Sequence, residues 1–454
     1  MKKTSVKSKE KSPTIDEIGI TSDTLSSRGG LSLLVRYLRN MCIAPRLESL
    51  FGSMRKNKKG QPVTEIFKQL FCNFIDGTSR HLVHFDLLKE DDGYAGTIES
   101  RQSTLLSSHT VKRFYNRFSW HRIWLFRGLL QELFIWRLNL REPDKIELFI
   151  DTFVMDNDEA KKRHGVQPTY KKVKGFQPLQ MTWDRYMIDT VFRGGKKHCN
   201  YGDTVEKMVR RIVNKIRKKY KEEVPIIIKM DSGFFDQKLF EVFEELEIGY
   251  VCGGKLYTDI KEYVEKVESL KWKQYKNKEQ VWDYVEFMDK RGSWSQYRRA
   301  IYCRPMYDGI QQVMNFAKED TILYTNIGMG QKIDKLLTKV GQDKLFNAEK
   351  IIECAHSRGC GELMHRALKD FSHEELPFKK FAPNAAYYFT MALAFFLFET
   401  FKEDVCSEII PVVSYATTVR RKLIDIAAKI VRKSGKIILK VTSATWKNLK
   451  FDVL

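Results

Sequence analysis

Two apolar runs that each end in an aspartate constrain the fold of this chain more than any other feature. Residues 146–151 (IELFID) and 224–231 (VPIIIKMD) are short and rich in aliphatic side chains. Runs of this length and composition are typical of strands buried on both faces of a sheet. Between them, residues 203–222 repeat an apolar side chain every three to four positions, which predicts an amphipathic helix. The sequence therefore indicates strands and helices in alternation.

The neighbouring segments fit the same α/β architecture. Residues 176–183 and 187–193 are expected to be strands, and residues 248–253 form a further strand after a helix at 237–246. This order of elements predicts a mixed sheet of the ribonuclease-H type. Such sheets place strand-end carboxylates on one rim, so we expect the two aspartates, Asp151 and Asp231, to lie together.

A third candidate carboxylate lies in residues 356–371 (HSRGCGELMHRALKDF). Arg358 and Glu362 are four positions apart and Lys369 follows seven later, so a helix would carry all three on one face. Carboxylate oxygens are the ligands that hard divalent cations prefer, and the flanking cations suit a phosphate. The set predicts two-metal phosphodiester chemistry on DNA. The alternative is that Arg358, Glu362 and Lys369 form only an ordinary ion pair on a helix surface.

The overall charge supports a polyanionic partner. The 454 residues carry a formal net charge of +22, and nucleic acid is the commonest partner of so basic a protein. A hydrophobic helix at 384–401 is expected to be buried, because its apolar run is too short to span a membrane. We expect no secretory signal and no membrane partner. The eight cysteines include no CxxC pair, which argues against a zinc knuckle and favours reduced thiols in the cytoplasm, near the nucleoid.

Changes in composition and in hydrophobic periodicity along the chain predict six segments. They are a disordered basic tail at 1–28, an all-helical DNA-binding domain at 29–141, the two parts of the core at 142–254 and 351–410, a β-rich insertion at 255–350, and a basic segment at 411–454. The insertion is predicted from aromatic, partly alternating runs at 281–288 and 296–304.

One helix of the N-terminal segment is a candidate for reading a DNA groove. It begins after possible caps at Ser107 and Ser108, and it carries a basic stripe beside an aromatic one. The basic stripe consists of Lys112, Arg113 and Arg117. The alternative is a surface helix that packs its aromatic side chains inward.

The insertion offers two further candidates for DNA contact. Lys255 follows the strand at 248–253, although a solvated lysine is the alternative. An aromatic platform for an unstacked base is also expected. Trp294 is favoured over Trp272 and Trp282, because it lies in a turn while Trp282 is in mid-strand. Tryptophans packed in a sheet core are the alternative.

These residues together resemble the DDE transposases of bacterial insertion sequences, in the group with a β-rich insertion before the glutamate. Arg358, Glu362 and Lys369 match that group's Tyr-x2-Arg-x3-Glu-x6-Lys signature, with Ala355 at the tyrosine position. Asp151-Thr152, residues 231–234 (DSGF) and residues 175–179 (GFQPL) resemble the other motifs of the group. The resemblance covers roughly residues 29–439.

The resemblance implies a ribonuclease-H-like core that binds two Mg2+ ions, with Mn2+ able to substitute, through Asp151, Asp231 and Glu362. It implies cut-and-paste transposition, in which transposon ends are cleaved and joined to target DNA. Arg358 and Lys369 would hold a strand near the cleaved bond. The expected partners are double-stranded DNA, as terminal inverted repeats and target, and a second copy of the chain in a synaptic complex.

Alternatives remain open at the level of the residues. Asp156 or Asp158 could replace Asp151 as the first ligand, and Asp231 could belong only to a strand-ending turn. A metal-dependent DNA nuclease without strand transfer, or a DNA-binding protein with a decayed site, would keep the same fold.

Overall fold

The computed structural model describes residues 14–54, 60–160, 162–277, 280–306, 319–356 and 359–450, with the backbone alone at 359–362. A short strand comes first and helices follow it. These elements are β1 (Thr24–Ser26), α1 (Leu31–Asn40), α2 (Ile43–Phe51), α3 (Val63–Asp76), α4 (His84–Leu88), α5 (Asp92–Thr97), α6 (Ser108–Tyr115) and α7 (Trp120–Arg141).

The central region alternates strands and helices as the apolar runs predict. Its elements are β2 (Ile146–Thr152), β3 (Met155–Asp156), β4 (Gln167–Pro168), β5 (Lys174–Phe176), β6 (Leu179–Trp183), β7 (Tyr186–Val191), α8 (Thr204–Lys219), β8 (Ile226–Met230), α9 (Gln237–Glu245) and β9 (Gly249–Gly253). The strand expected at 176–183 is divided. Phe176 ends β5, which joins β3 and β4 in a small separate sheet, and Leu179 begins β6 of the main sheet.

The predicted insertion is part of the main sheet and does not form a sheet of its own. It contains α10 (Thr258–Glu265), β10 (Lys273–Lys276), β11 (Val281–Asp289), β12 (Arg298–Met306), β13 (Thr321–Thr325) and α11 (Lys332–Lys339). Helix α12 (Ala348–His356) begins at its end and continues into the second part of the core. Within the described residues the main sheet has the order β10-β11-β12-β13-β9-β8-β2-β6-β7. Because β13 pairs antiparallel with β9, the strands of the insertion lengthen the core sheet at one side.

The C-terminal part of the chain pairs with the N-terminal strand. Its elements are α13 (Gly359–Phe371), α14 (Phe381–Phe401), α15 (Ala416–Val419), β14 (Ala428–Lys433), β15 (Lys436–Lys440) and α16 (Ser443–Asn448). Strand β14 pairs with β15 and also with β1, where Leu25 lies opposite Lys429. The sequence predicts a disordered tail up to residue 28, whereas residues 24–26 are fixed in this three-stranded sheet.

Helix α14 joins the helical and sheet regions through one hydrophobic core. Its Phe389 stacks on Phe126 of α7, with ring centroids 5.8 Å apart, and its Phe396 lies 5.0 Å from Tyr186 of β7. Among the described residues, one helix has the length and composition to cross a membrane, Phe381–Cys406, and 89% of its apolar window is buried inside the fold. The α14 side chains therefore form part of the core, and the buried side chains of α1–α7 belong to the same hydrophobic cluster.

The sheet positions the two strand-end aspartates. Strands β2 and β8 are parallel neighbours, with Ile150 opposite Met230. Strand β9 is parallel to β8 on its other side, with Met230 opposite Cys252. The carboxyl ends of the three strands therefore meet at one edge, called the rim below, and Asp151 and Asp231 follow paired residues there.

An ionic network fastens α7 to the segment after α14. Arg137 and Arg141 of α7 both form ion pairs with Glu403, and the Tyr186 hydroxyl donates a hydrogen bond to the same carboxylate. Burial opposes ionisation of Glu403, but the hydrogen bonds from Arg141 and Tyr186 and the charge of Arg137 lower its pKa to about 2. The carboxylate therefore stays ionised throughout the ordinary pH range.

We expect Glu403→Gln to destabilise the protein by about 2–3 kcal/mol at pH 7. A pKa lowered on folding stabilises the native state above the unfolded pKa of about 4.5, and that stability is lost as the pH falls toward 2. The difference in unfolding free energy between parent and variant should therefore shrink between pH 5 and pH 3, as measured by chemical denaturation. Glu408→Gln, at an exposed position, is the matched control. A difference independent of pH would contradict this account of Glu403.

Candidate active site

Two carboxylates stand side by side on the rim. Asp151 is the penultimate residue of β2, Asp231 follows β8 directly, and neighbouring strands are about 4.8 Å apart. The Asp151 side chain is 38% exposed, and Asp231 is also partly open to solvent. The strand register brings the carboxyl ends of β2 and β8 together, and so it places both aspartates on one rim.

Each aspartate also has a local role. The Asp151 Oδ1 atom accepts a hydrogen bond from the Thr152 amide at 2.6 Å, and Asp231 Oδ1 accepts one from the Gly233 amide at 2.9 Å. Asp231 thus caps a short 3-10 turn, Ser232–Phe234. This is the strand-ending turn that was the alternative to a metal-binding role. A carboxylate has about four acceptor positions, so capping a turn leaves capacity for a cation.

Gly233 is required next to Asp231 by close packing. A Cβ at this position would lie 2.9 Å from Cys199 Sγ and 3.0 Å from Asp231 Oδ1. A larger residue would therefore displace either the thiol or the carboxylate. This contact gives a steric reason for the glycine in the DSGF motif.

Cys199 lies beside both aspartates and was not singled out from the sequence. Its Sγ atom is 3.6 Å from the Thr152 hydroxyl. Burial raises the pKa of the Cys199 thiol, and the charges of Asp231 and Asp151 act in the same direction. The thiol therefore remains protonated at neutral pH. A lone cysteine in a polar loop gives no pattern by which sequence analysis could have found it.

Helix α13 packs against the rim through His365. The His365 Nδ1 atom lies 3.8 Å from Asp151 Oδ2, and the imidazole is 5.4 Å from the Phe153 ring. Burial lowers the pKa of His365 to about 4, with further contributions from Lys171 and Lys369. The imidazole is therefore neutral at pH 7, and the contact brings α13 to Asp151 without an ion pair.

The structure brings together only part of the predicted signature. Glu362 belongs to α13, three positions before His365, and its side chain lies outside the described residues. Arg358 lies outside them altogether. Lys369 is on the same helix as His365 and forms an ion pair with Glu374. To hold a phosphate, Lys369 would have to leave Glu374 and pair with the phosphate instead.

The alternative first ligands lie away from the rim strands. Asp156 is in β3 of the small sheet, where its Oδ1 atom accepts a hydrogen bond from the Asp158 amide at 2.9 Å. The Asp156 amide in turn donates to Glu374 at 3.1 Å. Neither position is next to β8 in the main sheet, which favours Asp151 as the partner of Asp231.

A cleft of about 930 Å3 opens beside Asp231. Its lining includes Ser232, Lys255, Trp282, Asp320 and His356. The predicted contact residue Lys255 is exposed and reaches this cleft. Trp282 packs on His356 with ring centroids 4.7 Å apart, so an aromatic side chain does border the cleft.

Trp294 does not have the placement expected of a base platform. Its side chain is only 6% exposed and packs against the rings of Phe235 and Tyr324, with the Arg298 guanidinium 4.8 Å from its ring centroid. Trp294 was preferred as a base platform because it lies in a turn, but this turn packs its tryptophan against the core. The alternative of a core tryptophan therefore fits Trp294. Trp282 is the tryptophan that lines the cleft, but its side chain is also buried, with 4% exposed.

The aromatic side of the α6 region faces inward and its basic side faces solvent. Ser107 caps α6 by accepting from the Thr110 amide, as predicted. Phe114, Tyr115 and Phe118 are buried, whereas Lys112, Arg113 and Arg117 are exposed. The helix ends at Tyr115, so Arg117 lies beyond it. The packing matches the alternative of a surface helix that packs its aromatic side chains inward. It also leaves the basic side chains accessible to solvent.

The donor set at the rim fits a hard divalent cation. Among the described side chains, no group of three or more His, Cys, Asp and Glu residues could hold a metal ion. Asp151 and Asp231 nevertheless supply two adjacent, partly exposed carboxylates, which are suitable oxygen ligands. One further carboxylate from α13 would complete a three-acid set.

Comparisons with known proteins give a family match and a similarity to a solved structure. The family model described as "Transposase DDE domain group 1" matches residues 13–452. No curated protein matches the chain. Among solved structures, the chain is similar to one described as a cryo-EM structure of the piggyBac transposase synaptic complex with hairpin DNA. That similarity has 14% sequence identity and a TM-score of 0.41, and it covers 88% of this chain and 79% of the other.

We expect Trp294→Ala to lower the free energy of unfolding by about 3–5 kcal/mol, because it removes a large buried side chain and leaves a cavity. Trp446→Ala is the control, since Trp446 is 46% exposed, and its effect should stay within about 0.5 kcal/mol. Denaturant unfolding of both variants measures the difference. An unfolding midpoint of Trp294→Ala equal to that of the parent would refute the core assignment.

Proposed function

Because the chain belongs to the transposase DDE domain family, group 1, we propose that it performs cut-and-paste DNA transposition. It would cleave DNA at transposon ends and join the freed 3′ ends to target DNA. The observation that carries this proposal is the pair Asp151 and Asp231, adjacent on the rim because β2 and β8 are parallel. The contact of His365 with Asp151 supports the approach of the helix that contains Glu362.

We assign two Mg2+ ions, with Mn2+ able to replace them, to Asp151, Asp231 and Glu362. Bound ions would supply Lewis-acid stabilisation of the negative charge that develops on the phosphodiester. The protein's own contribution is orientation. The Thr152 and Gly233 amides fix one oxygen of Asp151 and Asp231, respectively, and the neutral His365 adds no competing positive charge at the rim.

The main sheet supports a ribonuclease-H-like core. At its centre, β2 pairs antiparallel with β6, which pairs antiparallel with β7. On its other side β2 pairs parallel with β8, which pairs parallel with β9. Strands β10 to β13 are then the insertion characteristic of the bacterial insertion-sequence group that the motifs resemble. In this assignment the insertion supplies one wall of the cleft beside Asp231.

DNA would be held by cations near the rim and on the helical region. Arg358 and Lys369 follow the resemblance to the signature, and Lys255 reaches the cleft. The exposed Lys112, Arg113 and Arg117 are suited to backbone phosphates of the duplex. Two transposon ends must be paired before joining, so a homodimer in the synaptic complex belongs to the same proposal.

The carboxylate assignment predicts a separation of cleavage from binding. Asp151→Asn, Asp231→Asn and Glu362→Gln should each lower Mg2+-dependent cleavage by ~100-fold or more, because each removes one anionic metal ligand. DNA affinity measured with Ca2+ should change little. Asp156→Asn is the matched control and should cleave at the parental rate. Near-normal cleavage by any of the three variants would remove that residue from the ligand set.

The joining step is tested with linear DNA that carries the sequences flanking the gene, where terminal inverted repeats are expected. Incubation with Mg2+ and a supercoiled target should yield products in which the repeat ends are covalently attached to the target. Cleavage without any joined product would replace the proposal by a nuclease of the same fold. Absence of both reactions, with DNA binding retained, would indicate a decayed DNA-binding protein.

A further inference from the structure

Two neighbouring loops form a basic surface beside the rim, here called the basic lip. It consists of Tyr170, Lys171, Lys172 and Lys174 on the β4–β5 hairpin, and Lys196 and Lys197 on the loop after β7. All are exposed or partly exposed, and Tyr170 is 62% exposed although it is a large aromatic residue. Neither the family signature nor the carboxylate set includes these residues.

The tip of the hairpin has a defined conformation. The Thr169 amide and hydroxyl both donate to the Val173 carbonyl at 2.9 Å, and the Lys172 amide donates to the Thr169 carbonyl at 3.1 Å. Lys172 has a φ of +63°, a left-handed conformation that is uncommon for a residue other than glycine. The tip is therefore a tight turn that holds Tyr170 and Lys171 at its end.

The second loop is fastened to the hairpin through the backbone. The Gly195 amide donates to the Gly165 carbonyl at 3.2 Å, and Gly194 forms a β-bridge with Phe176. A Cβ on Gly195 would lie 2.1 Å from the Gln167 carbonyl oxygen, so this approach requires glycine. The two loops therefore form one surface.

The basic lip is connected to the rim. Its second loop leads to Cys199, whose thiol contacts Thr152 next to Asp151 and lies close to Gly233 next to Asp231. Partial burial raises the pKa of Tyr170, and the charges of Asp151 and Asp231 act in the same direction.

Within the part of the chain that the structure describes, the lysines of the basic lip have no protein anion as an ion-pair partner. Among the described residues, none of Lys171, Lys172, Lys174, Lys196 and Lys197 forms an ion pair, whereas Lys369 pairs with Glu374. Lys197 instead lies 3.5 Å from the ring centroid of Tyr201. Several unpaired cations on a braced surface repel one another, and a phosphate backbone is the polyanion that would neutralise them.

We propose that the basic lip grips the DNA strand next to the cleaved phosphodiester, with its lysines on backbone phosphates and Tyr170 against the adjacent sugar or base. This inference rests on the proposed function, since it takes the rim as the place of cleavage. It adds contacts contributed by the first half of the core to those expected from α13. Aromatic stacking tolerates any base, so Tyr170 would position the strand without reading its sequence.

The test measures equilibrium binding of a fluorescent duplex carrying the flanking inverted repeat, in Ca2+ and at several salt concentrations. The double variant Lys171→Gln/Lys196→Gln should bind ~10-fold or more weakly than the parent, and its slope of log affinity against log salt should be smaller by about 1–2. The control variant is Lys335→Gln/Lys344→Gln, which removes two exposed lysines from the region of α11. Because these lysines lie outside the basic lip, the control should change DNA affinity less than about 2-fold. Equal losses in the two double variants would overturn the proposal.

Tyr170 is tested by single-turnover cleavage in Mg2+. Tyr170→Ala should cleave ~10-fold more slowly, because a stacked aromatic contact is lost, and Tyr170→Phe should restore most of the rate. Unchanged thermal unfolding of both variants excludes a folding defect. If the lip variants bind and cleave like the parent while Asp151→Asn is inactive, the lip proposal fails and the proposed function stands. If the parent itself neither binds nor cleaves the DNA, the proposed function fails and the lip proposal with it.

Discussion

The parallel pairing of β2 with β8 is the interaction on which the rest of the site depends. The register places Ile150 opposite Met230, and both side chains are buried. Because side chains alternate between the faces of a sheet, a slip of one residue would send one strand's apolar set and its aspartate to the opposite face. The cost of exposing the apolar side chains therefore also keeps Asp151 and Asp231 together.

Two of the side chains next to the aspartates are uncharged at neutral pH. Gly233 leaves space for the Cys199 thiol, which stays protonated, and His365 stays neutral. Positive charge is placed around this centre on exposed side chains, in the basic lip and along α13. An anionic centre bordered by accessible cations is an arrangement in which divalent ions and a phosphate backbone can be held together.

Local sequence patterns predicted the elements with strong periodicity and missed the long-range contacts. Helix α8 and the strands that end in Asp151 and Asp231 carry their signal within a few residues, so their existence and approximate ends could be predicted. Pairing of β1 with β14 could not, because Leu25 and Lys429 are distant in sequence and neither strand is strongly apolar. Likewise, the burial of Trp294 depends on the aromatic cluster packed over its turn, and a turn sequence alone does not encode that cluster.

Asp151 and Asp231 are proposed to hold divalent ions for phosphodiester chemistry. Crystals of the protein soaked in Mn2+ and measured at the manganese absorption edge test this assignment most directly. The account predicts an anomalous peak about 2.1 Å from a carboxylate oxygen of each of the two aspartates. Anomalous density confined to Asp156, Asp158 and Glu374, with none between the ends of β2 and β8, would contradict it.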